Sequence, residues 1–364
     1  MEKIRICKRC VMNNVSDTTI RFDENGYCNY CTDALAEIDT TVYFPNKRGK
    51  EKLNAMIDKI KQENKDKAYD CIMGISGGLD SSYLAYLGYT WGLRILAVHI
   101  DDGYDTEISK RNIKKICDKC GIELRNITPD AEQFDALTLA YMKAGVPNLA
   151  IPQDNILFAF LYKNVVDERL KYFLSGGNFA LECILQKDHL FNAMDTVNIK
   201  DIHKRFGTKP VDKLQFISSY EKYINDKLGR AVTLRPLNFI NYNRERAFKE
   251  LYEFCGFEYY GRKHLENMLT AFVQTYWYPK KFGVDKRTSH LSSMIVSGQM
   301  TRDEALKELQ EPVYDEVMEN YIGIIKNRLG ISDRQFEEIM EAPTHEHEEY
   351  RTDKFGKVVR KILS

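Results

Sequence analysis

The stretch SGGLDSS, residues 76–82, combines residue types that can hold a phosphate. Its two glycines can turn successive backbone N–H groups inward to form an anion nest, and its serines add hydroxyl donors. The helical pattern that starts near Asp80 adds the positive end of a helix dipole. Because Asp80 alone would repel phosphate, we expect it to hold Mg²⁺ against phosphate oxygens. The alternative is a plain strand-to-helix turn capped by serine or aspartate. The candidate phosphate-binding residues are Gly74, Ile75, Ser76, Gly77, Gly78, Asp80, Ser81 and Ser82.

Four cysteines near the N-terminus form two closely spaced pairs, CKRC and CNYC. The order is C-x₂-C, seventeen residues, then C-x₂-C, and this spacing predicts that two turns present four thiolates to one zinc ion. Because four protein ligands close the coordination sphere, we expect a structural site rather than a catalytic one. An iron–sulfur cluster is the alternative that four thiolates allow. The predicted zinc ligands are Cys7, Cys10, Cys28 and Cys31.

The elements that position these residues fall into three regions. Residues 1–40 are short, turn-rich and punctuated by cysteine, which predicts a zinc-binding knuckle. In residues 41–244, apolar runs such as DCIMGIS and RILAVHI alternate with helical patterns, which predicts an α/β fold with a parallel sheet. Residues 245–364 are predicted to be helical, with the capping boxes Thr301–Glu304 and Ser332–Gln335 marking two helix starts.

Charge and hydropathy exclude several classes of protein. Fifty-three basic residues balance fifty-three acidic ones, which disfavours a protein built mainly to bind nucleic acid. No apolar run approaches the roughly 20 residues that a membrane span requires, and the N-terminal stretch MEKIRICKRC lacks an apolar signal core. We therefore expect a cytoplasmic protein with no membrane partner.

The glycine loop resembles the signature loop of the ATP pyrophosphatases, the PP-loop superfamily with an adenine nucleotide α-hydrolase-like fold. That resemblance implies that ATP is split to AMP and pyrophosphate while a substrate oxygen is adenylated. It also implies catalytic roles for Asp80 and Glu182 as magnesium ligands. The stretches VHIDDGYD and SGGNFALE then supply the remaining nucleotide contacts. The candidates from these two stretches are His99, Ile100, Asp101, Asp102, Gly176, Gly177 and Asn178.

Nearly the whole chain is similar to the N-acetyl sugar amidotransferases of bacterial surface-polysaccharide biosynthesis. The resemblance is carried by CKRCVMNN, FDENGYCNYC, GISGGLDSS and YPKKFGVDKRTSHLSSMIVSGQMTRDEAL. It implies an enzyme of lipopolysaccharide O-antigen assembly that replaces the acetamido oxygen of an acidic or nucleotide-linked N-acetyl sugar with ammonia. Residue 2 is Glu2 rather than a cysteine nucleophile, so we expect ammonia from a separate glutaminase–cyclase pair similar to imidazole glycerol phosphate synthase.

The late motif offers cationic side chains that suit a sugar carboxylate or diphosphate. A charged, solvated loop is the alternative interpretation of the same residues. The candidate sugar-binding residues are Lys280, Lys281, Lys286, Arg287 and His290.

Two other functions compete with the amidotransferase. A tRNA sulfurtransferase would combine zinc knuckles with this ATP loop and would place Cys183, or Cys117 with Cys120, at the centre of the chemistry. Against it stands GVPNLAIPQDNILF, which lacks the cysteine pair that some such enzymes carry there. A zinc-stapled adenine-nucleotide sensor without catalytic turnover is the third possibility.

Overall fold

A computed structural model describes residues 4–261 and 265–355 of the chain. Its centre is a parallel sheet of five strands: β1 Cys71–Gly74, β2 Ile95–Ile100, β3 Glu123–Ile127, β4 Tyr172–Leu174 and β5 Val232–Leu234. The strands lie in the order β3-β2-β1-β4-β5, and every neighbouring pair is parallel. The predicted α/β architecture with a parallel sheet is confirmed.

Burial explains which apolar runs become the central strands. Most of β1 and of β2 is buried, as expected for parallel strands that helices cover on both faces. Cys71 pairs with Ile95, and Ile72 pairs with Phe173 on the opposite side of β1. The strand order reverses direction between β1 and β4, and such a switch point leaves a crevice at the carboxyl ends of the strands.

Helices precede, connect and follow the strands. Those up to the end of the sheet are α1 Asn29–Glu37, α2 Lys47–Glu63, α3 Leu79–Thr90, α4 Glu107–Cys120, α5 Ala131–Ala144, α6 Ile151–Asp167, α7 Phe179–Glu182, α8 Thr196–Phe206 and α9 Ser219–Lys227. Those after the sheet are α10 Arg244–Cys255, α11 Met268–Phe272, α12 Arg287–Val296, α13 Arg302–Glu308, α14 Glu316–Leu329 and α15 Asp333–Glu341. Both predicted capping boxes are present, at the starts of α13 and α15. No helix in the described ranges has the length and apolar character needed to cross a bilayer.

The C-terminal helices return to the sheet rather than forming a remote unit. α11 continues into a π-helical stretch, Val273–Phe282, whose buried aromatic residues share a core with α5 and α14. α12 packs against α1 and α7, so it contacts both the cysteine region and the loop that follows β4. This path brings residues far apart in sequence to the carboxyl edge of the sheet.

Candidate active site

The main cavity opens at the carboxyl edge of the sheet, beside the switch point between β1 and β4. It encloses about 590 Å³ and is lined by the strand ends Gly74, Ile100 and Leu174, together with loops and helices from both halves of the chain. That volume lies within the range of small-molecule sites. Its position is the one at which open parallel sheets bind their ligands.

One residue of the glycine loop, residues 76–82, has a backbone conformation and surroundings that only glycine accommodates. Gly77 has a φ of +75°, which places it in the left-handed region. A Cβ at this position would lie 2.3 Å from the carbonyl oxygen of Ser109. The hydroxyls of Ser76 and Ser81 lie 3.3 Å apart, and Gly78 N donates to Ser76 Oγ at 3.2 Å. The loop therefore brings hydroxyls and amides together at the cavity wall.

Helix α3 starts at the end of this loop, and its N-cap residue Gly78 provides no side-chain hydrogen bond. The hydroxyl of Tyr260 accepts from Leu79 N at 2.7 Å, and the positive end of the helix dipole still favours an anion at the loop. Ser82 differs from the other loop serines because it is fully buried. Its hydroxyl has no hydrogen-bond partner among the described residues, and it lies outside the cavity wall.

Asp80 lies in the first turn of α3 and lines the cavity. The hydroxyl of Tyr242 donates a hydrogen bond to Asp80 Oδ1. Burial raises the pKa of Tyr242 well above its usual value, so this hydroxyl keeps its proton and continues to donate. The carboxylate is thereby held beside the loop, as a magnesium ligand next to phosphate oxygens would need to be.

The second acid, Glu182, ends the short helix α7 after β4 and also lines the cavity. Asn178 caps this helix by accepting from Leu181 N at 3.0 Å, and its own backbone N–H donates to Glu182 Oε2 at 3.2 Å. Gly176 lies close to the start of α3, because a Cβ on it would be 3.0 Å from Ser81 N. The loop after β4 is therefore packed directly against the glycine loop. Gly177 lines the same wall.

At the end of β2, His99 is buried between two acceptors. Its Nδ1 lies 2.8 Å from the carbonyl oxygen of Ile75, and its Nε2 lies 2.9 Å from Asp105 Oδ2. Burial by itself would lower the pKa of His99, but the hydrogen bond and charge of Asp105, the carbonyl of Ile75 and the charge of Asp101 together raise it, and the net change is upward. His99 thus links the glycine loop to the β2 loop, and Asp105 is a site residue that sequence reasoning missed.

The two acids that follow β2 have different surroundings. Asp101 accepts from Gly103 N at 3.0 Å and lies outside the cavity wall. Asp102 lines the wall and accepts from Tyr104 N and from the side chains of Gln153 and Asn267. Burial raises the pKa of Asp102 to about 6. The structure therefore brings Asp102, rather than Asp101, to the ligand side of this loop.

Glu266 and Asn267 reach the cavity from the C-terminal region, and no motif in the sequence marked them. Glu266 lies beside the glycine loop: its Oε1 is 3.5 Å from Ser76 Oγ, and a Cβ on Gly78 would be 2.5 Å from that oxygen. Asn267 Nδ2 donates to Asp102 Oδ1 at 3.2 Å. The C-terminal region thus contributes a further carboxylate next to the phosphate-binding candidates.

The five candidates of the late motif are brought together only in part: Lys286, Arg287 and His290 line one cavity, whereas Lys280 and Lys281 lie on neither cavity wall. Lys281 Nζ donates to the carbonyl oxygens of Ile339 and Ala342 at the end of α15. Lys280 lies over the Tyr314 ring. The guanidinium of Arg287 binds Asp285 and three backbone carbonyls, those of Glu308, Leu309 and Glu311.

Lys286 and His290 line cavities, as Arg287 does. Lys286 is on the wall of the main cavity, 5.0 Å from the ring centroid of Tyr278. Burial lowers the pKa of Lys286 to about 8. His290 Nδ1 lies 3.2 Å from the carbonyl oxygen of Leu181 and lines a second cavity of about 360 Å³.

The four predicted zinc ligands lie together in a buried cluster, with all four sulfurs within 4.8 Å of one another. The separations Cys7–Cys31, Cys10–Cys28 and Cys28–Cys31 are 3.8, 3.5 and 3.6 Å. A tetrahedron with metal–sulfur bonds of about 2.3 Å has edges of about 3.8 Å, so the cluster fits one metal ion.

Hydrogen bonds connect this cluster to the helices that support the main cavity. The guanidinium of Arg302 donates to the carbonyl oxygens of Cys7 and Cys10 at 3.0–3.2 Å. Val11 N donates to Ser292 Oγ on α12, and Ile184 N, two residues after Glu182, donates to Ser293 Oγ of the same helix. A metal bound by the cysteines would therefore help to hold α12, and through α12 the segment that carries Glu182.

Two parts of the chain match protein-family models. Residues 70–207 match the model described as "Queuosine biosynthesis protein QueC". Residues 266–363 match the model described as "LPS biosynthesis protein WbpG-like, C-terminal domain". The chain combines a PP-loop ATP pyrophosphatase domain with a WbpG-like C-terminal domain. The glycine loop is accordingly the PP-loop.

Similar proteins include nucleotide-using and tRNA-modifying enzymes. The tRNA-specific 2-thiouridylase MnmA 2 of Fusobacterium nucleatum is 26% identical over 173 residues, which cover 44% of this chain and 45% of that protein. The NMN synthetase from Francisella tularensis aligns with a TM-score of 0.36 and 15% identity, covering 78% of this chain and 93% of that one. The U34-tRNA thiolase NcsA from Methanococcus maripaludis aligns with a TM-score of 0.33 and 14% identity, covering 90% and 89% of the two chains.

The WbpG-like domain forms one wall of the main cavity and most of the second. Gln274 and Lys286 from this domain line both cavities, as do Glu182 and Leu185 from the PP-loop domain. The second cavity is also lined by Arg244 and His290. A molecule held there would lie next to whatever the PP-loop binds. The lining of this cavity contains both cationic residues, such as Arg244 and Lys286, and the acidic residues Glu182, Glu308 and Glu311.

Proposed function

We propose that the protein is an ATP-dependent amidotransferase acting on an N-acetylated, anionic sugar, either acidic or nucleotide-linked, in lipopolysaccharide O-antigen or related surface-glycan biosynthesis. ATP adenylates the acetamido oxygen and releases pyrophosphate, and ammonia then displaces AMP to leave an acetamidino group. Ammonia comes from a separate glutaminase–cyclase pair. ATP-dependent chemistry that forms AMP and pyrophosphate is what the PP-loop domain supports.

One observation carries the acceptor half of this proposal. The domain that matches the lipopolysaccharide family model lines both the ATP-sized cavity and the cavity beside it. Lys286 stands where the two cavities meet, and among the described residues its ammonium group has no hydrogen bond or ion pair. The charge of Asp17 offsets part of the effect of burial on the pKa of Lys286, and a partly buried cation with no direct ion pair in the described part of the chain favours an anionic ligand. An acidic or nucleotide-linked sugar meets that requirement.

The residues of the PP-loop domain have distinct roles in this reaction. Gly77 and Gly78 let backbone amides approach the β- and γ-phosphates, and the hydroxyls of Ser76 and Ser81 donate to the same oxygens. Asp80 and Glu182 would hold Mg²⁺, which neutralises the developing charge of the leaving pyrophosphate. The β2 end, with Ile100 and Asp102, borders the remaining space for adenosine.

The cysteine cluster has a structural role in the proposal, with zinc as the ion. Sulfur separations of 3.5–3.8 Å leave room for a single ion between the four thiolates, whereas a cubane cluster must fit four irons and four sulfides there. Four protein ligands also leave no position open for substrate.

A tRNA sulfurtransferase is the second candidate, favoured by the similarity to a 2-thiouridylase. Sulfur carried on a cysteine persulfide would have to reach the activated carbon, yet among the described residues no cysteine lines the main or the second cavity. Burial raises the pKa of Cys183, Cys117 and Cys120 to about 12, which keeps these thiols protonated and poorly nucleophilic. The site geometry therefore favours the amidotransferase.

The test is a panel assay of pyrophosphate and AMP release from Mg·ATP in the presence of ammonium. The panel holds nucleotide-linked N-acetyl sugars with and without a carboxylate, and bulk tRNA with a sulfide donor. We expect release that depends on one anionic sugar, with a product in which mass spectrometry finds oxygen replaced by NH. Release that requires tRNA and sulfide instead would establish the sulfurtransferase. ATP binding without release for any acceptor would favour the nucleotide sensor.

A further inference from the structure

Asp154 is a cavity carboxylate that no sequence motif marked. It lies in the first turn of α6, two residues after Pro152, and lines the main cavity beside Leu157 and Phe158. Among the described residues, no hydrogen bond or ion pair reaches its side chain. Burial raises its pKa to about 7. Asp154 is therefore a partly buried carboxylate at the cavity wall whose oxygens are available to a ligand.

The other acids around this cavity are engaged differently. Asp80 accepts from Tyr242, Asp102 accepts from Gln153 and Asn267, and Asp105 binds His99. Glu182 accepts a backbone N–H at 3.2 Å. A partly buried carboxylate with a raised pKa and without such partners is unusual, and groups of this kind concentrate at functional sites.

The surroundings of Asp154 indicate what it binds. Its charge acts on the buried hydroxyl of Tyr278, and Lys286 lies over the same ring, at 5.0 Å from the centroid. Tyr278 thus stands between a carboxylate and an ammonium group at the cavity wall. The Lys286 side suits the anionic acceptor, and the Asp154 side suits a small cation or a hydrogen-bond donor.

We infer that Asp154 binds the ammonium ion and takes its proton, so that free ammonia adds to the adenylated acetamido carbon. This inference rests on the proposed function. The lone pair of ammonia forms the new C–N bond, and the C–O bond to AMP breaks with its electron pair leaving on the phosphate oxygen. Of the four ammonium hydrogens, two stay on the product nitrogen, one goes to Asp154 and one leaves the adduct for the departing phosphate. Asp154 returns its proton to solvent after product release.

A comparison of two nucleophiles, ammonia and hydroxylamine, distinguishes proton removal by Asp154 from any other role of this residue. At neutral pH ammonia is almost entirely protonated, whereas the weaker base hydroxylamine is mostly unprotonated and needs no base to free its lone pair. In Asp154→Asn we expect the ammonium-dependent rate to fall on the order of 100-fold or more, the usual contribution of a general base. The rate with hydroxylamine should stay within a few-fold of wild type. Asp167→Asn, on the exposed end of the same helix, is the matched control and should behave as wild type with both.

Acceptor-dependent exchange of labelled pyrophosphate into ATP reports the adenylation half without ammonia. Exchange in Asp154→Asn should match wild type, and Asp154→Glu should recover part of the ammonium-dependent rate. Equal losses with ammonium and hydroxylamine, or loss of exchange, would overturn the inference, as would an unchanged ammonium rate. Absence of acceptor-dependent exchange in the wild-type protein would instead remove the proposed function itself.

Discussion

Replacing Gly77 with alanine tests whether the PP-loop depends both on the left-handed backbone conformation of this residue and on the lack of room for a side chain. Its φ of +75° should cost a side-chain-bearing residue about 1–2 kcal/mol. The added Cβ would also lie 2.3 Å from the carbonyl oxygen of Ser109, which is backbone and can move only with α4. Overpacking of this kind costs about 1–3 kcal/mol. We therefore expect Gly77→Ala to lower the free energy of unfolding by about 2–5 kcal/mol.

Gly121, the C-cap residue of α4, provides a matched control. It has a φ of +62°, but a Cβ there would meet no atom within 4 Å. Gly121→Ala should therefore lose only the conformational part, about 1–2 kcal/mol, and should keep its ATP affinity. Urea unfolding gives the stabilities, and calorimetric titration gives ATP binding. Equal stability losses in the two variants, or unchanged ATP binding in Gly77→Ala, would refute the steric argument.

Three further predictions concern other parts of the molecule. Cys28→Ser should abolish stoichiometric metal binding and lower the thermal midpoint, because the cluster loses a buried ligand; elemental analysis that still finds one ion per chain would contradict this. Lys286→Met should raise the acceptor KM far more than the ATP KM, whereas Lys281→Met should mainly lower stability, since Lys281 binds backbone carbonyls; the reverse pattern in steady-state kinetics would exchange their roles. The pKa of Asp102, raised to about 6, means that the folded protein holds a proton that the unfolded chain loses near pH 4. Its contribution to stability should therefore fall as pH rises from about 4 to 6, and urea unfolding of Asp102→Asn should lack that fall.

Features defined by short spacing could be predicted from the sequence. The glycine loop and the cysteine pairs are local patterns whose geometry follows from a few neighbouring residues. The alternation of apolar and helical segments likewise predicted the parallel sheet, because buried strands and amphipathic helices have different periods. The capping boxes of α13 and α15 are local in the same way.

Features that depend on tertiary packing could not be predicted. Tyr242 reaches Asp80 across 162 positions of sequence, and Glu266 reaches Ser76 across 190. No local pattern distinguishes either residue from its neighbours. Asp154 and Lys281 illustrate the same limit, because the sequence around a charged residue does not show which distant residues or cavity it faces in the folded chain.

The most direct test of the proposed reaction follows the acetamido oxygen of the acceptor sugar. The sugar would carry a heavy oxygen isotope in its acetyl carbonyl and would be converted with ATP and ammonium. Adenylation of that oxygen predicts that the label leaves with AMP, where mass spectrometry of the nucleotide would find it. Label that stays on the sugar, or AMP that carries none, would contradict the account.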